Sequence, residues 1–172
     1  GTPVADVLPV VIERAAGQGS TLLRLKVSPT RAGSEHAVTQ IADTPAASAA
    51  RWNELPQVTS VNPVTQVKPG ATVLLNGVDE RGRTQVVLAS QRYGRGKALA
   101  FTLQDSWLWQ MHASIPLEDQ THENYWRQML RWLALASSDP MAMATSFRAF
   151  FTRAVSTSKR GKVSPSSDGI GG

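Results

Sequence analysis

Between residues 71 and 103, three runs of apolar, β-forming residues follow one another with only turn clusters between them. The runs are Ala71-Thr72-Val73-Leu74-Leu75, Thr84-Gln85-Val86-Val87-Leu88-Ala89 and Lys97-Ala98-Leu99-Ala100-Phe101-Thr102-Leu103. The separators Asp79-Glu80-Arg81-Gly82 and Tyr93-Gly94-Arg95-Gly96 carry the Gly and Asp residues that tight turns select. The third run is nearly continuous in apolar character and reads as a buried strand. A chain organised this way must build a sheet.

The preceding segment adds to it. Val7 to Ile12 reads as an entry or edge strand, since Pro9 cannot donate a ladder hydrogen bond. Leu22 to Val27 reads as a strand with one wet face, marked by Arg24 and Lys26, and Ser28 to Gly33 as a loop. His36 to Ile41 suggests a brief pairing segment. Thr44-Pro45 supplies an N-cap and a first-turn proline for a short helix through Trp52, which Pro56 stops. Val58 to Val67 is extended but broken by Pro63.

The clearest helix begins near Leu117 or Glu118 and runs through Ala136. Trp126, Leu130 and Leu133 recur at helical spacing, and Tyr125, Met129, Trp132 and Ala136 widen that face into a core candidate. After Pro140 the pattern decays. Met143, Phe147, Phe150 and Phe151 suggest a weak amphipathic helix over 141–155, and the remainder is basic and rich in Ser and Gly, as in a flexible tail. The expected division is an α/β domain over 1–138 and a tail over 139–172.

Composition narrows the chemistry. The 172 residues contain no cysteine, so neither a thiolate nucleophile nor a Cys-ligated metal belongs to this chain. Of the net charge of +5, thirteen Lys/Arg against twelve Asp/Glu through Pro140 leave +1, and the last 32 residues hold the other +4. No apolar run is long enough to span a membrane as a helix. Familiar catalytic motifs fail on spacing. Gly94-Arg95-Gly96-Lys97 lacks the first glycine of a phosphate loop, which is Gln91 here, and the hydroxyl after the lysine, which is Ala98. His122-Glu123 begins like a zinc-protease helix, but Trp126 stands where the second histidine belongs.

What remains is the polar stretch Gln104-Asp105-Ser106-Trp107-Leu108-Trp109-Gln110-Met111-His112, directly after the last strand. Loops at the carboxyl ends of strands in open α/β sheets form ligand crevices. Asp105, Ser106 and His112 are therefore the catalytic candidates, a carboxylate orienting an imidazole base beside a hydroxyl. Trp107, Trp109 and His122 are the ligand-binding candidates. The plain alternative is an Asp/Ser cap and a locally packed histidine. Asp105, His112, His122 and Glu118 match no recognised metal-ligand spacing, and no metal or cofactor is expected.

Five segments taken together carry a resemblance: Leu8-Pro9-Val10, His36-Ala37-Val38-Thr39, Tyr93-Gly94-Arg95-Gly96-Lys97, Gln104-Asp105-Ser106-Trp107, and Tyr125 through Leu133. In this order they resemble the C-terminal part of the glutamine-amidotransferase-like domain found in large bacterial membrane proteins. The resemblance covers about residues 1–136. It implies a partial flavodoxin-like, class I glutamine-amidotransferase-like α/β sheet with packed helices. It also implies that the N-terminal part of the domain, neighbouring domains and an association with the bacterial cell envelope belong to a longer parent protein. The amidotransferase reaction needs a cysteine nucleophile, which is absent here. The expected function is thus a noncatalytic scaffold or interaction module. The alternatives are a hydrolase or carbohydrate-binding enzyme built on the Asp105/His112 loop, and a nucleic-acid-binding module using the basic tail with Arg81, Arg83, Arg92, Arg95 and Lys97. Near-balanced charge before Pro140 argues against specific nucleic-acid binding.

Overall fold

The computed structural model describes residues 3–11, 21–62 and 64–135, all within a compact unit spanning Gly1–Ser137. The readings made for 139–172 lie outside the described residues.

Five strands form one sheet: β2 (Thr21–Pro29), β3 (Val58–Val61), β5 (Thr72–Asp79), β6 (Thr84–Tyr93) and β7 (Gly96–Phe101), in the order β3-β2-β5-β6-β7. Every pairing is antiparallel. A separate ribbon pairs β1 (Val10–Val11) with β4 (Gln66–Val67), and Val10 joins Ala89 and Ala100 in a small second cluster against the sheet. The helices are α1 (Pro3–Val7), α2 (Arg31–Ser34), α3 (Pro45–Glu54), α4 (Leu108–Met111) and α5 (Thr121–Ala134). The chain is thus a mixed α/β fold with helices packed on an antiparallel sheet. The turn segments read from sequence close hairpins, with Gly82 and Gly94 at φ of 75° and 56° where a side chain would strain the turn. Asp79 locks the first hairpin by accepting from the Arg81 and Arg83 amides and from Arg83 Nε. Burial opposes ionisation there, but those bonds outweigh it and hold the Asp79 carboxyl below its ordinary range.

The sheet curls toward closure at one end. Val61 bridges Leu103, the Asn62 amide donates to the Thr102 carbonyl, and the Gln104 amide donates to the Ser60 carbonyl. The resulting half-barrel encloses the main core, where Leu25, Leu74, Leu75, Val58, Val61, Val87 and Leu88 are fully buried. Two lysines fasten helices to strands. Lys26 on β2 donates to the Asn53 and Leu55 carbonyls at the end of α3, and Lys97 on β7 donates to the Trp132 and Leu135 carbonyls at the end of α5. Cations belong at helix C-termini, where carbonyls lack intrahelical partners. Gly33 in α2 lies so close to β5 that a Cβ would fall 1.9 Å from the Leu74 carbonyl oxygen.

Several sequence expectations are corrected. The run Lys97–Phe101 is an edge strand rather than a buried one, with Ala98 and Ala100 buried but Leu99 and Phe101 only partly so. His36–Ile41 is no strand. The His36 ring accepts from the Val38 amide, and the Thr39 hydroxyl donates to the Gly33 and His36 carbonyls, which winds Ala37–Thr39 into a 3₁₀ turn. Of the entry segment Val7–Ile12, Val7 ends helix α1, and among the described residues only Val10–Val11 is strand. Pro29, expected in a loop, ends β2, and Arg31–Ser34 is helical. Helix α5 starts at Thr121, because Asp119 is drawn to Arg51 and caps the Thr121 amide from a turn. Its buried face is Tyr125 and Met129, whereas Leu130 and Leu133 are 60% and 38% exposed.

Candidate functional site

The polar stretch follows β7 as it bends away from the sheet. Asp105 is buried, and its Oδ2 accepts from the Thr59 amide (2.5 Å), the Thr59 hydroxyl (2.8 Å) and the Ser60 amide (3.0 Å). All three donors belong to β3, 45 or 46 residues earlier in the chain. The carboxylate thus covers the outer edge of β3. The Asp105 carbonyl also accepts from the Leu108 amide at the start of α4.

His112 is exposed and turns its Nδ1 to Ser114, 2.8 Å from the hydroxyl and 3.2 Å from the amide. Asp105 and His112 therefore have separate partners and form no orienting pair. The structure instead brings together Ser106 and His122, with Ser106 Oγ 3.3 Å from His122 Nε2. Trp126 Nε1 donates to the same Nε2 at 2.9 Å, and His122 Nδ1 lies 3.2 Å from Gln110 Oε1. An indole N–H only donates, so Nε2 carries the lone pair and Nδ1 carries the proton. Burial holds the His122 pKa below its ordinary value, in keeping with a neutral ring.

This geometry has a chemical consequence. A general base acting on the Ser106 hydroxyl needs the Nε2 lone pair to receive its proton. Trp126 already occupies that lone pair at the shorter distance. Protonation at Nε2 would set two N–H groups against each other. The Ser106–His122 contact resembles a nucleophile and its base, yet the indole quenches the base.

The two tryptophan candidates separate. Trp109 is 1% exposed and packs edge-on against Trp52 (5.4 Å between ring centroids) and Tyr125 (5.7 Å), so it belongs to the core. Trp107 is 51% exposed, with a face open to solvent. Burial also pushes the Tyr125 hydroxyl pKa upward, leaving it a neutral core group. Glu118 is exposed. Among the described residues no three His, Asp or Glu side chains gather as metal ligands, so Asp105, His112, His122 and Glu118 do not assemble into a site.

Of the basic residues, Arg83 pairs with Asp79 and Lys97 is bonded to α5. Lys97 also lies 4.6 Å over the Trp132 ring, and the His36 ring packs on that ring at 5.1 Å. Burial first, and the Lys97 charge second, hold His36 below its ordinary pKa. Three of the five segments that carry the resemblance thus meet at Trp132. Sequence reading missed Thr59 and Ser60 as the partners of Asp105, for which no local signal exists. The Trp126 donor stands four residues from His122, a spacing that places both on one helix face.

No family model matches the chain, and no curated protein matches it. Solved structures do. The cytoplasmic protein STM3548 from Salmonella typhimurium superposes with a TM-score of 0.52 at 18% identity, covering 77% of this chain and 46% of that one. The cytoplasmic protein STM1381 from Salmonella typhimurium LT2 gives 0.52 at 19% identity with the same coverages. The likeness is one of fold, and the chain spans less than half the length of either protein. No helix among the described residues is long and apolar enough to cross a membrane.

Proposed function

We propose that this chain is a noncatalytic, glutamine-amidotransferase-like module that serves as a scaffold or interaction part of a larger, membrane-associated bacterial protein. The observation that carries the noncatalytic reading is the hydrogen bonding of the polar loop. Asp105 holds β3, His122 Nε2 accepts from Trp126, and Trp109 is core, so the groups that would perform chemistry hold the fold together. With no cysteine, the chain has no Cys-dependent glutaminase activity of its own. The family assignment and the envelope location rest on the resemblance of the five segments. The flavodoxin-like sheet that the resemblance implies is parallel, whereas every pairing among the described residues is antiparallel, so that part of the assignment rests on the resemblance alone.

A second reading has one observation in its favour, the 3.3 Å contact between Ser106 and His122 beside the exposed Trp107. It makes the loop a hydrolase or carbohydrate site. A screen of the purified chain against small amides, esters and glycosides separates the two. The scaffold reading expects no turnover from wild type. Turnover that Ser106→Ala or His122→Ala abolishes in a folded protein would establish the hydrolase instead.

A further inference from the structure

Helix α5 carries two tryptophans, Trp126 and Trp132, and each touches both β7 and a histidine. Trp126 packs edge-on against Phe101 of β7 (5.3 Å between centroids) and donates its indole N–H to His122 Nε2. Trp132 lies under the Lys97 ammonium of β7 and meets the His36 ring at 5.1 Å. These contacts sit at opposite ends of the helix, His122 in its first turn and Trp132 in its last. Between them, Tyr125 and Met129 anchor the middle of α5 in the core.

Both rings are tied through a nitrogen that accepts. At His36 it is Nδ1, which takes the Val38 amide at 3.2 Å and so sets the 3₁₀ turn on which the ring is mounted. At His122 it is Nε2, which takes the Trp126 indole at 2.9 Å, while Nδ1 faces Gln110 Oε1 of α4. An imidazolium has no lone pair on either nitrogen, so protonation turns each of these hydrogen bonds into a contact between two N–H groups. The neighbouring charges do little to compensate. Against His36, β7 brings Lys97, whose charge opposes a second cation. On α5, Arg131 adjoins Trp132, and Arg31 of α2 and its capping residue Glu35 are exposed, where solvent screens them. Against His122, α4 brings no charged residue, Glu123 and Arg127 of α5 bind each other, and Asp119 ahead of the helix is bound to Arg51. His112 is turned to Ser114, and Glu118 is exposed.

We propose that α5 is a proton-released arm of the fold: when His36 and His122 take up protons, its two ends loosen from β7 and the 3₁₀ turn, while Tyr125 and Met129 keep its middle in place. Burial, joined at His36 by Lys97, holds both rings below their ordinary pKa. The contacts are therefore complete above about pH 6.5 and are lost as pH falls through the lower folded-state values. The release is local, because the pairings among β2, β5 and β6 involve no histidine. It does not depend on whether the polar loop is catalytic.

The test is amide hydrogen exchange of the full chain at about pH 7.5 and about pH 5, read as protection factors, which divide out the intrinsic pH dependence of exchange. Protection of residues 121–135 should fall at least about fivefold more than that of β5 and β6. A His36→Asn/His122→Gln double variant keeps an acceptor at each place and takes up no proton, so its α5 protection should be the same at both pH values. In the unaltered chain, the indole N–H resonances of Trp126 and Trp132 should titrate with midpoints below about pH 6.5, while that of buried Trp109 stays. Overturning results are α5 protection that does not change, α5 protection that falls only in step with β5 and β6, or an equal fall in the double variant. Should that variant not fold, the resonances decide: indoles of Trp126 and Trp132 that do not move overturn the proposal.

Discussion

Replacing Asp105 probes the assignment of the polar loop most directly. In Asp105→Ala, two backbone amides of β3 and the Thr59 hydroxyl lose their common acceptor. An unsatisfied buried donor costs about 1–3 kcal/mol, and charge-assisted bonds lie at the upper end. Water entering the truncated site relieves part of this, so a net loss of about 3 kcal/mol is expected. That exceeds the value of a local cap, about 1 kcal/mol, because the bonds tie segments 45 or 46 residues apart. Asp105→Asn keeps an acceptor but not the charge, and should lose about half as much. Urea unfolding followed by near-UV circular dichroism at neutral pH measures both. The expected order is wild type, then Asn, then Ala, with m unchanged. An Ala variant within about 0.5 kcal/mol of wild type, the range of neutral surface changes, refutes the claim that this carboxylate is an architectural tie.

Trp109→Ala should cost about 3–5 kcal/mol as a core deletion, and Trp107→Ala under about 0.5 kcal/mol; paired thermal melts compare them. Gly33→Ala should cost about 3 kcal/mol, since the added methyl meets the Leu74 carbonyl and α2 must move off β5; the same melts would show it. Lys97→Met should lose about 1–2 kcal/mol and shift tryptophan fluorescence, because Trp132 loses the ammonium over its ring and α5 its terminal donor. His122 and His36 are both held below their ordinary pKa, so the native state binds fewer protons than the unfolded chain. Their contribution to stability is complete above about pH 6.5 and declines as pH falls through the folded-state values. Urea titrations stepped from pH 7.5 to pH 5 should show this decline, and His122→Gln should flatten it.

Local signals in the sequence located individual strands, turns and helices, though not the antiparallel order of the sheet. The Asp79–Gly82 and Tyr93–Gly96 turns and the Thr44-Pro45 helix start all depend on residues within four or five positions of one another. The errors arose where distant contacts decide. Leu99 and Phe101 alternate with Ala98 and Ala100 in a wholly apolar run, which reads the same for a buried strand and for an edge strand with small residues on one face. On α5, apolar residues occupy more than half the circumference, so periodicity locates a helix without choosing its inner face. Tyr125 faces inward because Trp52 and Trp109 lie there to meet it at 5.7 Å each.

The candidate site was legible as a place but not as a pairing. Asp105, Ser106 and His112 lie within eight residues of one another, and such closeness suggests a shared task. Bending of the chain after β7 sends them in three directions: Asp105 to β3, Ser106 to α5, and His112 to its own neighbour Ser114. The same bend carries residues 102–105 against β3, where backbone hydrogen bonds and the Asp105 carboxylate close the outer edge of that strand.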